Sequence, residues 1–206
     1  MTIKHVLFGT ALAAGFAVAP AHASTSFFND WESTDFGSGP GFVILPTYEG
    51  WTTTSGPGIE VQYNNVAGLP LSGENLVELD SSGNSQMSRT IASGSYTLSF
   101  YYSPRPGIPA SSNGIDVLLN GLSIFNVTAN GGGQTGWVQQ IVNFATPGTA
   151  TLSFAALGTS DSLGGYIEDV RLSAVPEPAT WAMMLGGFGL LGAAARRRSR
   201  ATTVFA

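Results

Sequence analysis

Apolar and polar residues alternate with a period of two along much of the chain, which is typical of β-strands that bury one face. The pattern is clearest at 96–102, where Tyr96, Leu98 and Phe100 fall on one face, and it recurs at 149–154. Further short apolar runs bounded by turn residues predict strands near 41–45, 59–63, 76–79, 86–91, 137–144 and 166–172.

Asn120-Gly121 separates two more apolar runs, at 116–119 and 122–125. This dipeptide predicts a tight hairpin, because both central residues of such a turn take a positive φ. No helical pattern of three turns precedes Pro178. About ten short strands in roughly 150 residues therefore predict an all-β fold, a jelly-roll β-sandwich without an internal repeat.

The first 23 residues have the three parts of a secretory signal peptide. Lys4 supplies the positive charge, an apolar run follows from Val6, and the small residues Ala21 and Ala23 form an A-x-A cleavage site. The apolar run is short for the alternative, a transmembrane helix. We expect a signal helix at 1–23, export by the Sec machinery and cleavage by signal peptidase after Ala23.

The end of the chain has three segments in order. Pro176-Glu177-Pro178 comes first, an uncharged apolar run reaches Ala195, and an arginine cluster follows at 196–200. From Ala179 the apolar run has 17 residues, the lower limit for crossing about 30 Å of hydrocarbon. The arginines would stay cytoplasmic and Trp181 would lie at the opposite interface. We therefore predict a short transmembrane helix at about 179–195; a buried core helix is the alternative.

This order of segments resembles the PEP-CTERM sorting signal of Gram-negative bacteria, over residues 175 to 200. The resemblance implies a transient inner-membrane intermediate and cleavage near the Pro-Glu-Pro motif by an exosortase, a membrane peptidase. It also implies release or transfer to the cell surface or extracellular matrix, in association with exopolysaccharide and biofilm. One departure is the extra tail at 201–206. The residues that carry the resemblance are Pro176, Glu177, Pro178, Trp181, Arg196, Arg197, Arg198 and Arg200.

Between these ends, residues 24–175 contain three arginines and twelve acidic residues, but no histidine, lysine or cysteine. This inventory excludes a Ser-His-Asp triad, histidine or thiolate zinc sites and Schiff-base lysines. Nucleic acid is not expected as a partner, since phosphate binding needs clustered cations. Carboxylates, hydroxyls, amides and aromatic rings remain, and they suit hard-cation binding and stacking on carbohydrate.

The same segment resembles a galactose-binding-like jelly roll, the architecture of many carbohydrate-binding modules. The resemblance is carried by residues 29–32, 50–52 and 165–172. It implies one structural Ca²⁺ that ties the first strand to the last. Glu32 matches the opening carboxylate of those modules and Glu168 the closing one, where aspartate is usual.

Alternation places Glu168 on the face shared by Tyr166, Val170 and Leu172. A core-facing carboxylate must be paired or bound to a metal, because burying an unpaired charge is costly. Ca²⁺ fits this requirement, with Asp169 as the alternative ligand if a β-bulge shifts the register. The other possibilities are a solvated position at the sheet rim and an ion pair with Arg89 or Arg171.

Aromatic residues beside loops are the candidates for a ligand-binding surface. Tyr101 and Tyr102 precede a proline-rich loop that carries Arg105. The tyrosine rings could stack on a sugar while the Arg105 guanidinium donates hydrogen bonds to the hydroxyls of that sugar. Trp51 and Trp137 are further candidates for stacking. For each ring the alternative is a place in the core.

The sequence thus predicts an exported, non-catalytic surface or matrix protein that binds exopolysaccharide. A purely structural matrix protein without a specific ligand is the alternative. A carbohydrate-active hydrolase would need paired carboxylates. Pairs such as Glu78 with Asp80 are present, but no catalytic motif marks them.

Overall fold

The computed structural model describes residues 24–176 and 178–200. In these residues, thirteen strands form two antiparallel sheets and one helix follows them. The predicted signal peptide, with Ala21 and Ala23, lies outside the described residues. The elements are β1 (Phe27–Asn29), β2 (Gly41–Leu45), β3 (Thr47–Tyr48), β4 (Trp51–Ser55), β5 (Ile59–Tyr63), β6 (Asn75–Glu78), β7 (Gln86–Ile91), β8 (Gly94–Ser103), β9 (Gly114–Leu119), β10 (Leu122–Val127), β11 (Val138–Thr146), β12 (Ala150–Leu157), β13 (Tyr166–Val175) and α1 (Pro178–Arg200).

The strands form a seven-stranded sheet A and a six-stranded sheet B. Sheet A has the order β11-β8-β13-β6-β5-β2, with β1 also paired to β13. Sheet B has the order β10-β9-β12-β7-β4-β3. Consecutive strands change sheet repeatedly, as β7, β8 and β9 do. The predicted all-β jelly-roll sandwich is therefore confirmed.

The hydrophobic core lies between the two sheets and is built on aromatic rings. Phe154 of sheet B contacts Phe100 of sheet A edge to face, with 5.0 Å between ring centroids, and contacts Trp51 at 5.4 Å. Tyr96, Leu98 and Phe100 are 1% exposed or less, which confirms the face predicted for β8. This arrangement leaves the opposite face of sheet A, called here the outer face, for other roles.

The predicted hairpin is confirmed at Asn120-Gly121. These residues have φ angles of 51° and 78° and join β9 to β10. The Asn120 side chain also accepts a hydrogen bond from the backbone N–H of Thr151, 2.9 Å away. The turn is thereby attached to the neighbouring strand β12.

The alternation predicted for β13 is wrong beyond Glu168. A β-bulge shifts the register between Glu168 and Arg171, and Asp169 there has a φ of 49°. Val170 and Leu172 consequently face the core, whereas Tyr166 and Glu168 lie on the outer face. A single extra residue reverses the side-chain direction, because strand side chains alternate with a period of two.

Helix α1 begins at Pro178, a residue favoured in the first helical position. Among the described residues, the structure contains no helix that is both long and apolar enough to cross a membrane. The transmembrane helix expected at about 179–195 stays a prediction.

Candidate functional site

A row of polar residues crosses the outer face of sheet A. Glu60 pairs with Glu78 in the strand register, Glu78 with Tyr166, and Tyr166 with Ser103. Each of the four is 5% exposed or less. The local cause is alternation, because Ile59 and its counterparts on the neighbouring strands fill the core and direct these polar side chains outwards.

The side chains of this row form one connected cluster. Gln62 donates from Nε2 to Glu60 Oε1 at 2.8 Å and also to Glu78 Oε2. Arg105 donates from Nη1 to both carboxylate oxygens of Glu78, at 3.1 and 2.8 Å. Burial raises the pKa of Tyr166, and the nearby Arg105 and a hydrogen bond with Gln62 partly oppose this, so the Tyr166 hydroxyl belongs to the same group. We call Glu60, Gln62, Glu78, Arg105 and Tyr166 the outer-face cluster.

Two buried carboxylates share a single guanidinium in the outer-face cluster. Burial raises the pKa of Glu78 to about 8, although Arg105 favours its charged form. Burial also raises the pKa of Glu60, which Gln62 partly opposes. Desolvation is the largest influence in both cases and outweighs the ion pair. Burial and the ion pair with Arg105 therefore act in opposite directions on the ionisation of Glu78.

Part of the hydrogen-bonding capacity of this cluster is unused. Within residues 24–176, Gln62 Oε1 is buried without a hydrogen-bond partner. In the same part of the chain, the Arg105 side chain donates hydrogen bonds through Nη1 alone, so its Nη2 and Nε atoms have no acceptor there. The Arg105 side chain is 19% exposed. A buried polar atom without a partner is rare in folded proteins and points to water or a ligand.

Residues 64–74, called here the roof loop, cover part of the outer face. Tyr166 Oη donates to the carbonyl of Ala67 at 3.3 Å, and Trp137 Nε1 donates to the carbonyl of Leu69 at 3.0 Å. The half-buried Trp137 ring lies 6.5 Å from the ring of Tyr166. The roof loop and Trp137 thus border the outer-face cluster.

Glu32 and Glu168, the predicted calcium ligands, both bind this loop. Glu168 Oε2 accepts the N–H of Leu71, and Glu32 Oε1 accepts the N–H groups of Glu74 and Asn75 at 3.0 and 2.8 Å. Burial raises the pKa of Glu168 to about 8, and its Oε1 has no partner within residues 24–176.

A metal site of several carboxylates is not present at this position. No three acidic or histidine side chains are grouped as metal ligands in the described part of the chain. Asp169 lies on the β-bulge, and burial and Asp30 raise its pKa. Glu32 and Glu168 each have one carboxylate oxygen that accepts no hydrogen bond in the described residues. A calcium ion bound to these two oxygens would need backbone carbonyls and water as its other ligands. Calcium stays a prediction.

Two of the predicted stacking residues lie in the core. Trp51 is 0% exposed and donates from Nε1 to Asn29 Oδ1 at 3.0 Å. Tyr102 is 2% exposed, donates to the carbonyl of Asn113, and has its pKa raised to about 12 by burial. Neither ring offers a face to a ligand, and both predictions are corrected. Alternation is the reason, because Tyr102 follows Tyr96, Leu98 and Phe100 into the core.

The other candidates lie on or beside the outer face. Tyr101 is half-buried there, opposite Gln139 and Glu168 in the register. Arg105 and Trp137 are at the cluster, as described above. Glu60 and Gln62 are not among the residues predicted from the sequence, although their alternation with Ile59 and Val61 indicates that they share a face.

A second concave feature lies at the edge of sheet B. It has a volume of about 530 Å³ and opens to solvent. Four of the residues that line it carry hydroxyl groups, Ser33, Thr34, Thr47 and Thr52, and Glu49 lines it as well. This hydroxyl-lined depression is separate from the outer-face cluster and provides a useful control surface.

Comparison with known proteins identifies the end of the chain and the fold. Residues 174–198 match the PEP-CTERM protein-sorting motif, so the chain carries this motif, which marks proteins for export to the cell envelope or surface. No curated protein matches the chain. The K2 cleaved adhesin domain of Lys-gingipain shares the fold, with a TM-score of 0.53 and 17% identity over 73% of this chain and 98% of that domain.

Two further solved structures are more distant. One is the CBM22-2 xylan-binding domain of Paenibacillus barcinonensis Xyn10C, with 13% identity over 72% of this chain and 99% of that one, and a TM-score of 0.46. The other is a family 35 carbohydrate-binding module from Clostridium thermocellum, with 13% identity over 73% of this chain and 99% of that one, and a TM-score of 0.40.

Proposed function

We propose that this is a cell-surface or extracellular-matrix protein that an exosortase processes and that binds polysaccharide without catalysis. The sorting motif at 174–198 supports the first part of the proposal. Sec export and signal-peptide cleavage after Ala23 complete the route. The sandwich is then the part that acts outside the cell.

One observation carries the proposed binding function. Within the described residues, two side-chain nitrogens of Arg105 have no acceptor and Gln62 Oε1 has no donor, and the half-buried ring of Trp137 lies next to Tyr166 of the same cluster. Sugar hydroxyls both donate and accept hydrogen bonds, and a sugar ring stacks on an indole face. A ligand that brings several hydroxyls next to an apolar ring face matches this set of groups.

The charge of the sandwich narrows the class of polysaccharide. Residues 24–175 have twelve acids against three arginines. An anionic polymer would be repelled at low salt, since exposed charges interact over about a Debye length of roughly 10 Å. The proposed ligand is therefore a neutral polysaccharide.

The carboxylates of the cluster do not favour a hydrolase. Glu60 and Glu78 are both hydrogen-bonded to Gln62 Nε2, so the Gln62 amide lies between them. A glycosidase needs its scissile bond in that space, flanked by two accessible carboxyl groups. The burial of both glutamates supports a non-catalytic role.

Affinity electrophoresis of the secreted protein tests the binding function. Gels would contain a neutral glucan, a galactan, a xylan or, as the anionic comparison, alginate. We expect retardation by a neutral polymer and about tenfold weaker retardation of Trp137→Ala and Arg105→Lys, because each loses contacts worth about 1.4 kcal/mol or more. A Thr47→Ala/Thr52→Ala variant in the hydroxyl-lined depression is the matched control and should bind as the wild type does.

Two results would contradict this proposal. Unretarded migration in all polymers would favour the structural alternative, a matrix protein without a specific ligand. Loss of retardation in the depression variant alone would move the binding site to the edge of sheet B. Circular dichroism of each variant establishes that the sandwich is folded.

A further inference from the structure

The sorting motif begins where the folded sheet ends. Strand β13 runs to Val175, and its last three residues pair with Thr97, Tyr96 and Ser95 of β8. The motif match starts at residue 174, so its first two residues belong to the sheet. Pro176 follows at once, and the sandwich and the Pro-Glu-Pro sequence have no linker between them.

The start of the exported chain holds the same strand end from its other side. The N–H of Ala174 donates to Ser26 Oγ at 3.3 Å. The N–H of Thr25 donates to Tyr96 Oη at 3.2 Å, and Thr25 Oγ1 accepts the N–H of Ala92 at 2.9 Å. The residues next to the two expected cleavage points therefore meet at one corner of the sandwich.

Proteolysis makes a specific demand on this strand end. An extended peptide is bound through its main-chain hydrogen bonds, with the residues on both sides of the cut in the cleft. For a bond in the Pro-Glu-Pro sequence, the preceding residues are Ser173 to Val175, whose backbone is paired with β8. The backbone groups of Ser173–Val175 cannot form hydrogen bonds with β8 and with the peptidase at the same time.

We propose that the sorting peptidase cleaves a locally opened form in which Ser173–Val175 have left β8. The inference rests on the proposed processing by an exosortase. The rate of processing then follows the population of the opened strand end, as proteolysis does when opening and closing are fast.

Burial defines how far the strand opens. Ser173 and Val175 are exposed and Ala174 is partly buried, whereas Leu172 is 1% exposed and packs in the core. Ends with few buried contacts open at low free energy, and core strands open only with the whole domain. Opening therefore stops at Leu172, and the cleaved product keeps the complete sandwich.

Engineered disulfides test this requirement directly, because the chain has no cysteine of its own. Thr97→Cys/Ser173→Cys joins β8 to the end of β13 at directly paired positions. Thr97→Cys/Asn143→Cys is the matched control, since it joins the same residue of β8 to its partner on β11. Mass spectrometry establishes that each disulfide has formed.

Processing of the full chain is followed by pulse-chase in a host that carries an exosortase. We expect the β8–β13 disulfide to slow processing by about tenfold or more, a reductant to restore it, and the β8–β11 disulfide to leave it unchanged. A four-residue Gly-Ser insertion between Val175 and Pro176 should accelerate processing of a protein that has no disulfide.

The outcomes separate this inference from the proposed function. Processing of the wild type at a rate that neither the β8–β13 disulfide nor the insertion changes would overturn the opening requirement alone. A wild-type chain that is never processed, together with an unprocessed insertion variant, would overturn the processing itself and this inference with it.

Discussion

Arg105 and Glu78 form an ion pair on the outer face of sheet A, with Nη1 2.8 Å from Oε2, although the carboxylate is fully buried. The other two arginines of residues 24–176 lie over aromatic rings. Arg89 is 4.1 Å from the ring of Phe27 and Arg171 is 4.3 Å from the ring of Phe28. Of the three arginines in residues 24–176, Arg105 is therefore the one that forms an ion pair with a carboxylate, and it does so in the outer-face cluster.

Replacing Arg105 with Gln should destabilise the sandwich by an amount that depends on pH. Above pH 8 the charged Glu78 would be buried without a cation, which costs about 1–3 kcal/mol of unfolding free energy. At pH 6 the loss should be smaller, because Glu78 can be protonated. Urea denaturation at both pH values measures this difference. Arg171→Gln, at an exposed position, should stay within about 0.5 kcal/mol at either pH.

The wild-type sandwich should lose stability as the pH rises. Burial raises the pKa values of Glu78 and Glu168 from 4.5 to about 8 in the folded protein. A carboxyl whose pKa is raised on folding contributes stability below its unfolded pKa and loses it as the pH passes the folded value. We expect the unfolding free energy to decrease by several kcal/mol between pH 5 and pH 9.

A variant series assigns this pH dependence to its source. Glu168→Gln should remove the part of this decrease that Glu168 contributes, since Glu168 has no cationic partner within the described residues, whereas Glu74→Gln, at an exposed glutamate, should retain the full decrease. A profile that rises with pH, or one that Glu168→Gln leaves unchanged, would contradict the assignment. Thermal unfolding by circular dichroism is sufficient to decide.

The regular strands were predictable from the sequence because one of their faces is buried. The predicted limits of β2, β5 and β7 agree with the structure, and the Asn120-Gly121 hairpin is in place. Strands β1, β3 and β4 were missed. They are short, and the run Trp51-Thr52-Thr53-Thr54 contains a single apolar residue, so alternation cannot reveal it.

The candidate site was predicted only in part, because it depends on tertiary features. Arg105 and Trp137 were identified from their residue types and their position beside loops. The burial of Glu60 and Gln62 depends on what covers an outer sheet face, which local pattern does not contain. The bulge at Asp169 adds one residue to β13 and reverses the face of Glu168. The hydrophobic pattern of β13 does not show which residue forms the bulge.

Gly73 is a specific test of how Glu32 holds the roof loop. It has a φ of +62°, and a Cβ atom there would overlap the Glu32 carboxyl group. Gly73→Ala should therefore cost about 1–2 kcal/mol of unfolding free energy and weaken the loop. Gly136→Ala is the control, since its Cβ would meet open space. Equal stability of the two variants in urea would contradict the proposed role of Glu32.

Calcium binding at Glu32 and Glu168 is tested with the metal alone. If the ion binds there, millimolar Ca²⁺ should raise the unfolding midpoint above that in chelator, because a ligand of the folded state stabilises it. Glu168→Gln should abolish the increase, and Asp116→Asn, on β9, should keep it. An unfolding midpoint that is the same in Ca²⁺ and in chelator would contradict the predicted calcium site.

The mass of the mature protein, together with the sequence of both its ends, is the decisive measurement of export and processing. Purified from the surface or matrix of a cell that makes it, the protein should begin at Ser24 and end at or shortly after the Pro-Glu-Pro motif. The sandwich from β1 to β13 would be complete in that product. A full-length chain of 206 residues with an intact arginine cluster would contradict both the signal-peptide cleavage and the exosortase processing.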